Sequence, residues 1–247
     1  MDLFSYLLGT KKGGGSKPAV LQEKSVTITE NETITVTPDE GYDGLSSVSI
    51  TTNVKPYIEL DYIQSSGTQY INTGVYPTKD GKVVFDFDLL DTNVSNNWLF
   101  GCRYGTAQQG EFFNCAFVYS DDAPHIQSNY DSTVGTLVDI SYGRHVINKD
   151  KNITYLDDVK VDEATYGSFN STWPLSLFAL RNGSSSYDTR KAVIKLYSAK
   201  IYINDVLVRD YIPVKRKLDN AICLYDKVTE EFYTNDGTGT FIAGNEI

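Results

Sequence analysis

Ala192-Val193-Ile194-Lys195-Leu196-Tyr197-Ser198-Ala199-Lys200-Ile201-Tyr202-Ile203 leads through Asn204-Asp205 into Val206-Leu207-Val208-Arg209-Asp210-Tyr211-Ile212-Pro213, and this stretch decides the fold class. Apolar residues on both sides flank Asn204-Asp205, the pattern of two strands joined by a two-residue hairpin turn. Pro213 cannot donate to a ladder, so it ends its strand or places it at a sheet edge. Working outward, strand-like runs recur at 69–72, 82–89, 98–103, 112–119, 137–142, 145–148, 152–156, 175–180 and 231–234. Asp80-Gly81, Asn182-Gly183 and Asp236-Gly237 punctuate them as turn dipeptides. With no helical pattern between strands, the chain reads as an all-β sandwich or barrel, not a βαβ fold. No strict repeat points to a propeller. The 18 Tyr, 11 Phe and 19 Gly agree with strands and tight turns.

The chain divides into three parts. Residues 1–17 join an apolar tip (Leu3, Phe4, Tyr6, Leu7, Leu8) to Lys11-Lys12-Gly13-Gly14-Gly15-Ser16-Lys17, a flexible tether by composition. A greasy peptide on a tether is expected to anchor the chain in another protein. The tip is too short for a signal peptide, and its lysines follow the apolar run instead of preceding it. Residues 18–55 form a small β-module in which 26–29 and 33–37 alternate with period two around a turn at Glu30-Asn31-Glu32. Residues 56–247 form the large β-domain. Lys plus Arg (22) against Asp plus Glu (32) gives a net charge of −10, which argues against a nucleic-acid partner. No run is long enough for a membrane-spanning helix. Cys102, Cys115 and Cys223 match no metal spacing and read as buried thiols of a protein made in a reducing cytosol; a Cys102–Cys115 bridge across a hairpin is the alternative.

Two resemblances add to this reading. The stretch from Lys24-Ser25-Val26-Thr27-Ile28 to Gly41-Tyr42-Asp43-Gly44-Leu45-Ser46-Ser47-Val48 resembles a short module of phage and prophage structural proteins from Gram-positive bacteria. Leu60-Asp61-Tyr62-Ile63-Gln64-Ser65-Ser66-Gly67-Thr68-Gln69-Tyr70-Ile71-Asn72-Thr73-Gly74 is similar to the opening of concanavalin A-like lectin/glucanase (laminin-G-like) domains. The blocks Lys195-Leu196-Tyr197-Ser198, Arg209-Asp210-Tyr211-Ile212-Pro213-Val214, Leu224-Tyr225-Asp226-Lys227 and Phe232-Tyr233-Thr234-Asn235-Asp236-Gly237 are similar to the ending of the same group. The resemblance implies a jelly roll of two antiparallel sheets, with binding loops in the unmatched middle, 76–190.

Candidate chemistry follows from that implied fold. Glycosidases of the lectin/glucanase type carry E-x-D-x-x-E on one strand, and Asp86-Phe87-Asp88-Leu89-Leu90-Asp91 imitates the spacing with every Glu replaced by Asp. Alternation turns Phe85, Phe87 and Leu89 inward and Asp86 and Asp88 outward, so the pair reads as solvated carboxylates and the protein as a non-enzyme. His125, in a loop after Ala123-Pro124, and His145 lack a nucleophile motif. Calcium is the one candidate cofactor, through two oxygen-rich loops: Asp91, Asn93, Asn96 and Asn97, and Asp121 with Asp122. For carbohydrate, the candidates are Trp98, Tyr104, Tyr130, Trp173 and Tyr187 as stacking surfaces, with Arg103, Arg181 and Asn182 as hydroxyl partners.

The expected protein is a virion surface component, made in the bacterial host cytoplasm. Its N-terminus would engage other virion proteins while the lectin-like domain binds host or mucosal carbohydrate. The alternative is a structural head decoration, head fibre or tail accessory protein with no glycan ligand. A homo-oligomer is expected by analogy with such proteins.

Overall fold

The computed structural model describes residues 19–28, 34–52, 54–90, 97–104, 111–183, 186–187 and 190–247, all strand, turn or loop. They fall into two compact units, one within Met1–Pro56 and one spanning Tyr57–Ile247. The anchor residues Leu3, Phe4, Tyr6, Leu7 and Leu8 lie outside the described residues.

In the first unit, β1 (Leu21–Ile28) pairs with β2 (Gly44–Thr52) in parallel, Val26 opposite Ile50. This corrects the hairpin expected between 26–29 and 33–37. Residues 34–37 keep the alternation of half-buried and exposed positions but join no ladder. Alternation reports a half-covered surface and does not choose a partner. Here the segment meets β1 through side chains: Gln22 Nε2 (2.6 Å) and Lys24 Nζ (2.7 Å) donate to the Asp39 carboxylate, and Asp39 N–H donates to Gln22 Oε1 (2.8 Å). The expected turn at Glu30-Asn31-Glu32 falls outside the described residues.

The second unit is a sandwich of two largely antiparallel sheets. Its long strands are β3 (Gly81–Leu89), β4 (Asn97–Tyr104), β5 (Glu111–Ser120), β6 (Ala123–Asp131), β7 (Gly143–Asp150), β8 (Ile153–Leu156), β9 (Val159–Glu163), β10 (Ile194–Ile203), β11 (Val206–Arg216), β12 (Ile222–Asp226) and β13 (Glu231–Tyr233). The larger sheet runs β9-β8-β7-β3-β10-β11-β12-β13. The smaller runs from the short strand Leu137–Asp139 through β6, β5 and β4 to the pieces Ser176–Leu177 and Ile71–Asn72.

The opening stretch becomes β10 and β11, with Ile203 opposite Val206 and both Asn204 (φ 52°) and Asp205 (φ 62°) in the left-handed region. That is the conformation a two-residue hairpin turn demands. Pro213 lies inside β11, between β12 on one side and the short strand Tyr57–Glu59 on the other. Its missing N–H does not place β11 at an edge.

The core is the space between the sheets. Phe85 and Phe87 from β3, Leu196 and Ile201 from β10, and Phe100, Phe113 and Phe117 from β4 and β5 are all buried in one cluster. Each such side chain stabilises the fold by about 1.5–3 kcal/mol. The strict alternation of β3, buried at every odd position from Gly81 to Leu89, follows directly from that packing.

Candidate functional site

On β4, β5 and β6 one set of side chains turns into the core and the other forms a groove on the outer face of the smaller sheet. Phe113, Cys115 and Phe117 belong to the core, while Phe112, Asn114, Ala116 and Val118 line the groove. From β6, Ile126 and Tyr130 turn inward while Gln127 and Asn129 line the groove. Trp98 and Arg103 from β4, with Val134 and Arg190 from flanking loops, complete a cavity of about 220 Å³. A register shift between Trp98 and Phe100 lets Trp98 point outward while Phe100 and Cys102 stay in the core. Bulges commonly re-aim a side chain in this way. Arg190 is held beside Trp98 by the main chain, since Trp98 N–H donates to Arg190 O at 3.0 Å.

Three amides are ordered by one backbone segment. Gly135 N–H donates to Asn129 Oδ1 (3.1 Å), and Gln127 Nε2 donates to Gly135 O (3.0 Å). A backbone N–H can only donate, so Asn129 presents its oxygen to Gly135 and its Nδ2 to Asn114 Oδ1, at 2.7 Å. That leaves Asn114 Nδ2 as the end of the chain, buried and with no hydrogen-bond partner among the described residues. Trp98 Nε1 is in the same condition. Unmet buried donors are uncommon in folded proteins and need an explanation. Gly101 makes room for Asn114: a Cβ there would stand 2.1 Å from Asn114 Cβ, and its φ of +152° suits glycine.

The residues expected to bind carbohydrate divide. Trp98 and Arg103 share the groove, and Asn182 joins them at its end, accepting a hydrogen bond from Arg103 Nε at 3.1 Å. Trp98, however, is no open stacking platform. It is only 8% exposed, and the guanidinium carbons of Arg103 and Arg190 lie 6.0 and 5.5 Å from its ring centroid. Tyr130 belongs to the core, fully buried, with its hydroxyl donating to Lys79 O at 2.9 Å; a sugar cannot reach it. Trp173 packs partly buried against the core with the Arg181 guanidinium 5.7 Å from its ring, away from the groove lining. Tyr104 ends β4 exposed to solvent and outside the groove lining. Tyr187 lies on a two-residue strand paired with Arg181–Asn182, and its side chain is outside the description.

Asn114, Gln127, Asn129 and Arg190 were not anticipated. One signal was available: Asn114 interrupts the apolar run Phe112-Phe113-Asn114-Cys115-Ala116-Phe117, where a buried amide needs partners.

The other candidate positions have structural occupations. Asp86 accepts a bidentate pair from Arg144 (2.9 and 2.8 Å), and Asp88 pairs with Lys195 at 3.3 Å, both carboxylates on the face of β3 opposite the core. Asp121 and Asp122, both with positive φ, are the two-residue turn joining β5 to β6. Asn97 begins β4 and is buried; Asp91, Asn93 and Asn96 fall outside the described residues. Among the described residues no group of three or more His, Cys, Asp or Glu converges as for a metal. His125 Nε2 lies 3.1 Å from Asp139, and His145 Nδ1 lies 2.6 Å from Asp157. Cys102 and Cys115 are separate buried thiols, because Cys102 stands opposite Phe113 and Cys115 opposite Phe100 in the ladder. Burial pushes both thiols up to about 12. No protein-family model matches the chain, and no curated protein matches it in sequence.

Proposed function

We propose that the sandwich is a lectin-like, jelly-roll binding domain that holds carbohydrate in the Trp98–Asn114–Asn129 groove and performs no chemistry on it. The carrying observation is the groove itself, which gathers Trp98, the Arg103 and Arg190 guanidiniums and the Asn114, Gln127 and Asn129 amides on one face of the sheet, above two buried donors, Asn114 Nδ2 and Trp98 Nε1, that have no described partner. Sugar hydroxyls accept as well as donate, so a saccharide can accept from the guanidiniums and donate to the Gln127 oxygen that line the groove. The cavity is smaller than the roughly 300–1,000 Å³ of sites for drug-sized ligands, which suits one sugar unit at the end of a chain. The proposed setting is the surface of a phage or prophage particle, supported by the wording Gly41-Tyr42-Asp43-Gly44-Leu45-Ser46-Ser47-Val48.

A glycan array read with the intact protein and with Asn114→Ala tests this reading. Binding to a defined set of glycans, lost in Asn114→Ala at unchanged folding, is the expected result. An array blank for the intact protein, with host cell walls also unbound, would overturn it. The second reading, a structural particle component with no glycan ligand, is favoured by one observation: Trp98 is covered by arginine side chains instead of standing open. It predicts particles that lose stability without the protein yet adsorb to hosts normally.

A further inference from the structure

The groove's polar groups are unequal in kind. Beneath its surface, Asn114 Nδ2 and Trp98 Nε1, the two buried atoms of lining residues that have no described partner, are donors. Arg103 and Arg190 carry donors only, together with two positive charges. The amide chain from Gly135 is polarised in one direction, so that it ends in a donor instead of an acceptor. Gln127, whose nitrogen is engaged by Gly135 O, has the one side-chain oxygen of the lining amides that no described hydrogen bond uses. No carboxylate is among the described residues lining the cavity. This arrangement stands out in a chain with a net charge of −10, where two of only six arginines meet over one indole ring.

A neutral hydroxyl gains less from such a set than an oxyanion does, because it brings a proton that needs an acceptor. An oxyanion brings none. It accepts from several donors at once, and charge-assisted hydrogen bonds to guanidinium are roughly twice as strong as neutral ones. Guanidinium is also the cation best suited to planar or tetrahedral oxyanions, because its donors form a rigid fork.

We infer that the groove selects a sugar unit bearing an oxyanion, a carboxylate or a phosphate, and that Arg103 and Arg190 set this preference. The inference rests on the saccharide reading given above and adds the charge of the ligand to it. Arg103, tied through Nε to Asn182 Oδ1 at 3.1 Å, is held in place for the role. Arg190, tethered by its own carbonyl to Trp98 N–H, approaches the same ring from the other flanking segment.

The chain has two tryptophans, Trp98 and Trp173, so its indole N–H resonances give a direct readout, assigned with Trp98→Phe. The full chain is titrated with glucose, glucuronate, glucose 6-phosphate and inorganic phosphate at low and high salt. The Trp98 resonance is expected to move with glucuronate or glucose 6-phosphate at least tenfold more tightly than with glucose. Which of the two binds better distinguishes a uronate from a phosphate source. The preference is expected to narrow at high salt, as screening requires. In Arg103→Gln and Arg190→Gln the acid-to-neutral ratio is expected to fall several-fold toward one, with the amide spectrum confirming the fold. Equal binding of glucose and the charged sugars would overturn the charge preference and leave the saccharide reading standing. Inorganic phosphate binding with no sugar binding would overturn the saccharide reading and keep the oxyanion site. No movement of the Trp98 resonance with any probe would overturn both, and an unaltered ratio in both arginine variants would overturn the roles assigned to them.

Discussion

Lys149 lies between the sheets, 1% exposed, and replacing it with methionine is expected to stabilise the protein. Its ammonium donates to Ser128 Oγ at 2.8 Å, a hydroxyl that also accepts from Thr154 Oγ1 at 2.7 Å, and it sits 5.2 and 5.6 Å from the Phe113 and Tyr130 ring centroids. Burial pulls its titration down from 10.5 to about 8, partly offset by the nearby Cys115 and Asp162. At about 1.4 kcal/mol per tenfold change in proton affinity, folding disfavours the charged form by about 3 kcal/mol. Because the folded value is depressed, the unfolded chain holds a proton between pH 8 and 10.5 that the folded chain has released, so stability rises with pH across that window. The buried thiols act in the opposite sense. Cys102 and Cys115, raised from 9.0 to about 12, and Cys223, raised to about 11, stay protonated when folded and ionise first when unfolded, so stability falls above pH 9. The two trends oppose each other in the wild-type profile above pH 9, but the difference between wild type and Lys149→Met isolates the lysine. Methionine matches the length of the stem and fills irregular apolar space. Allowing about 1 kcal/mol for the lost hydrogen bond, the variant is expected to be about 2 kcal/mol more stable at pH 7. That margin should shrink by about 1 kcal/mol by pH 9. Urea unfolding in reducing buffer, followed by tryptophan fluorescence, is the assay, and both tryptophans report on the sandwich. A destabilised variant, or a margin that does not change with pH, would refute the reasoning.

Four further substitutions separate structural from functional roles. Gly101→Ala places a Cβ 2.1 Å from Asn114 Cβ and 2.8 Å from its Cα at a left-handed φ, and should cost about 3 kcal/mol in urea unfolding and abolish groove binding. Gly143→Ala, with φ of +119° but open space around it, should cost only about 1–2 kcal/mol and leave binding intact. Tyr130→Phe removes a hydrogen bond to Lys79 O and should lose about 1 kcal/mol of stability with no change in any glycan titration. Asp86→Asn breaks the pair with Arg144, a side chain 58% exposed, so the loss should stay below about 1 kcal/mol and vanish in high salt. Neither that variant nor the wild type is expected to release reducing sugar from β-glucans, and release that disappears in Asp86→Asn would overturn the non-catalytic proposal.

What was legible in the sequence is what neighbouring residues decide among themselves. The Asn204-Asp205 turn, the outward Asp86 and Asp88 and the inward Phe85 and Phe87 depend on period-two alternation and turn chemistry alone, and each is found where it was expected. Pairing is different, because it is settled by segments far apart in the chain. The alternation at 26–29 and 33–37 predicts two paired strands, yet among the described residues 34–37 show only half-covered surface and β1 takes β2 as its ladder partner. Pro213 is expected to end its strand or to mark an edge, and it does neither, because a missing donor matters only on one side and the sequence does not say how many neighbours a strand has.

Of the strands that the sequence does not mark, which include β9 and β12, one is the most informative. Ala123-Pro124-His125-Ile126-Gln127-Ser128-Asn129-Tyr130-Asp131 falls outside the strand-like runs, with His125 expected in a loop, and it is β6, paired between β5 and the short strand Leu137–Asp139. Its inward face is Ile126, Ser128 and Tyr130, with Ser128 polar because it receives the buried Lys149 ammonium. Its outward face carries Gln127 and Asn129, amides of the groove. A strand with an ammonium behind it and a polar groove in front cannot alternate apolar with polar, so the signal that marks other strands is erased here. Local rules fail where a sequence serves something besides folding. Loss of the signal is therefore an independent pointer to this face of the sheet. It also explains why the expected binding residues were sought among aromatics in loops, while the groove is built from amides inside strands β5 and β6. The same logic separates Lys149 from the groove. A purely structural polar strand should tolerate replacing Ser128 and Lys149 together by apolar residues, whereas Gln127 and Asn129 have no apolar substitute if they hold a ligand.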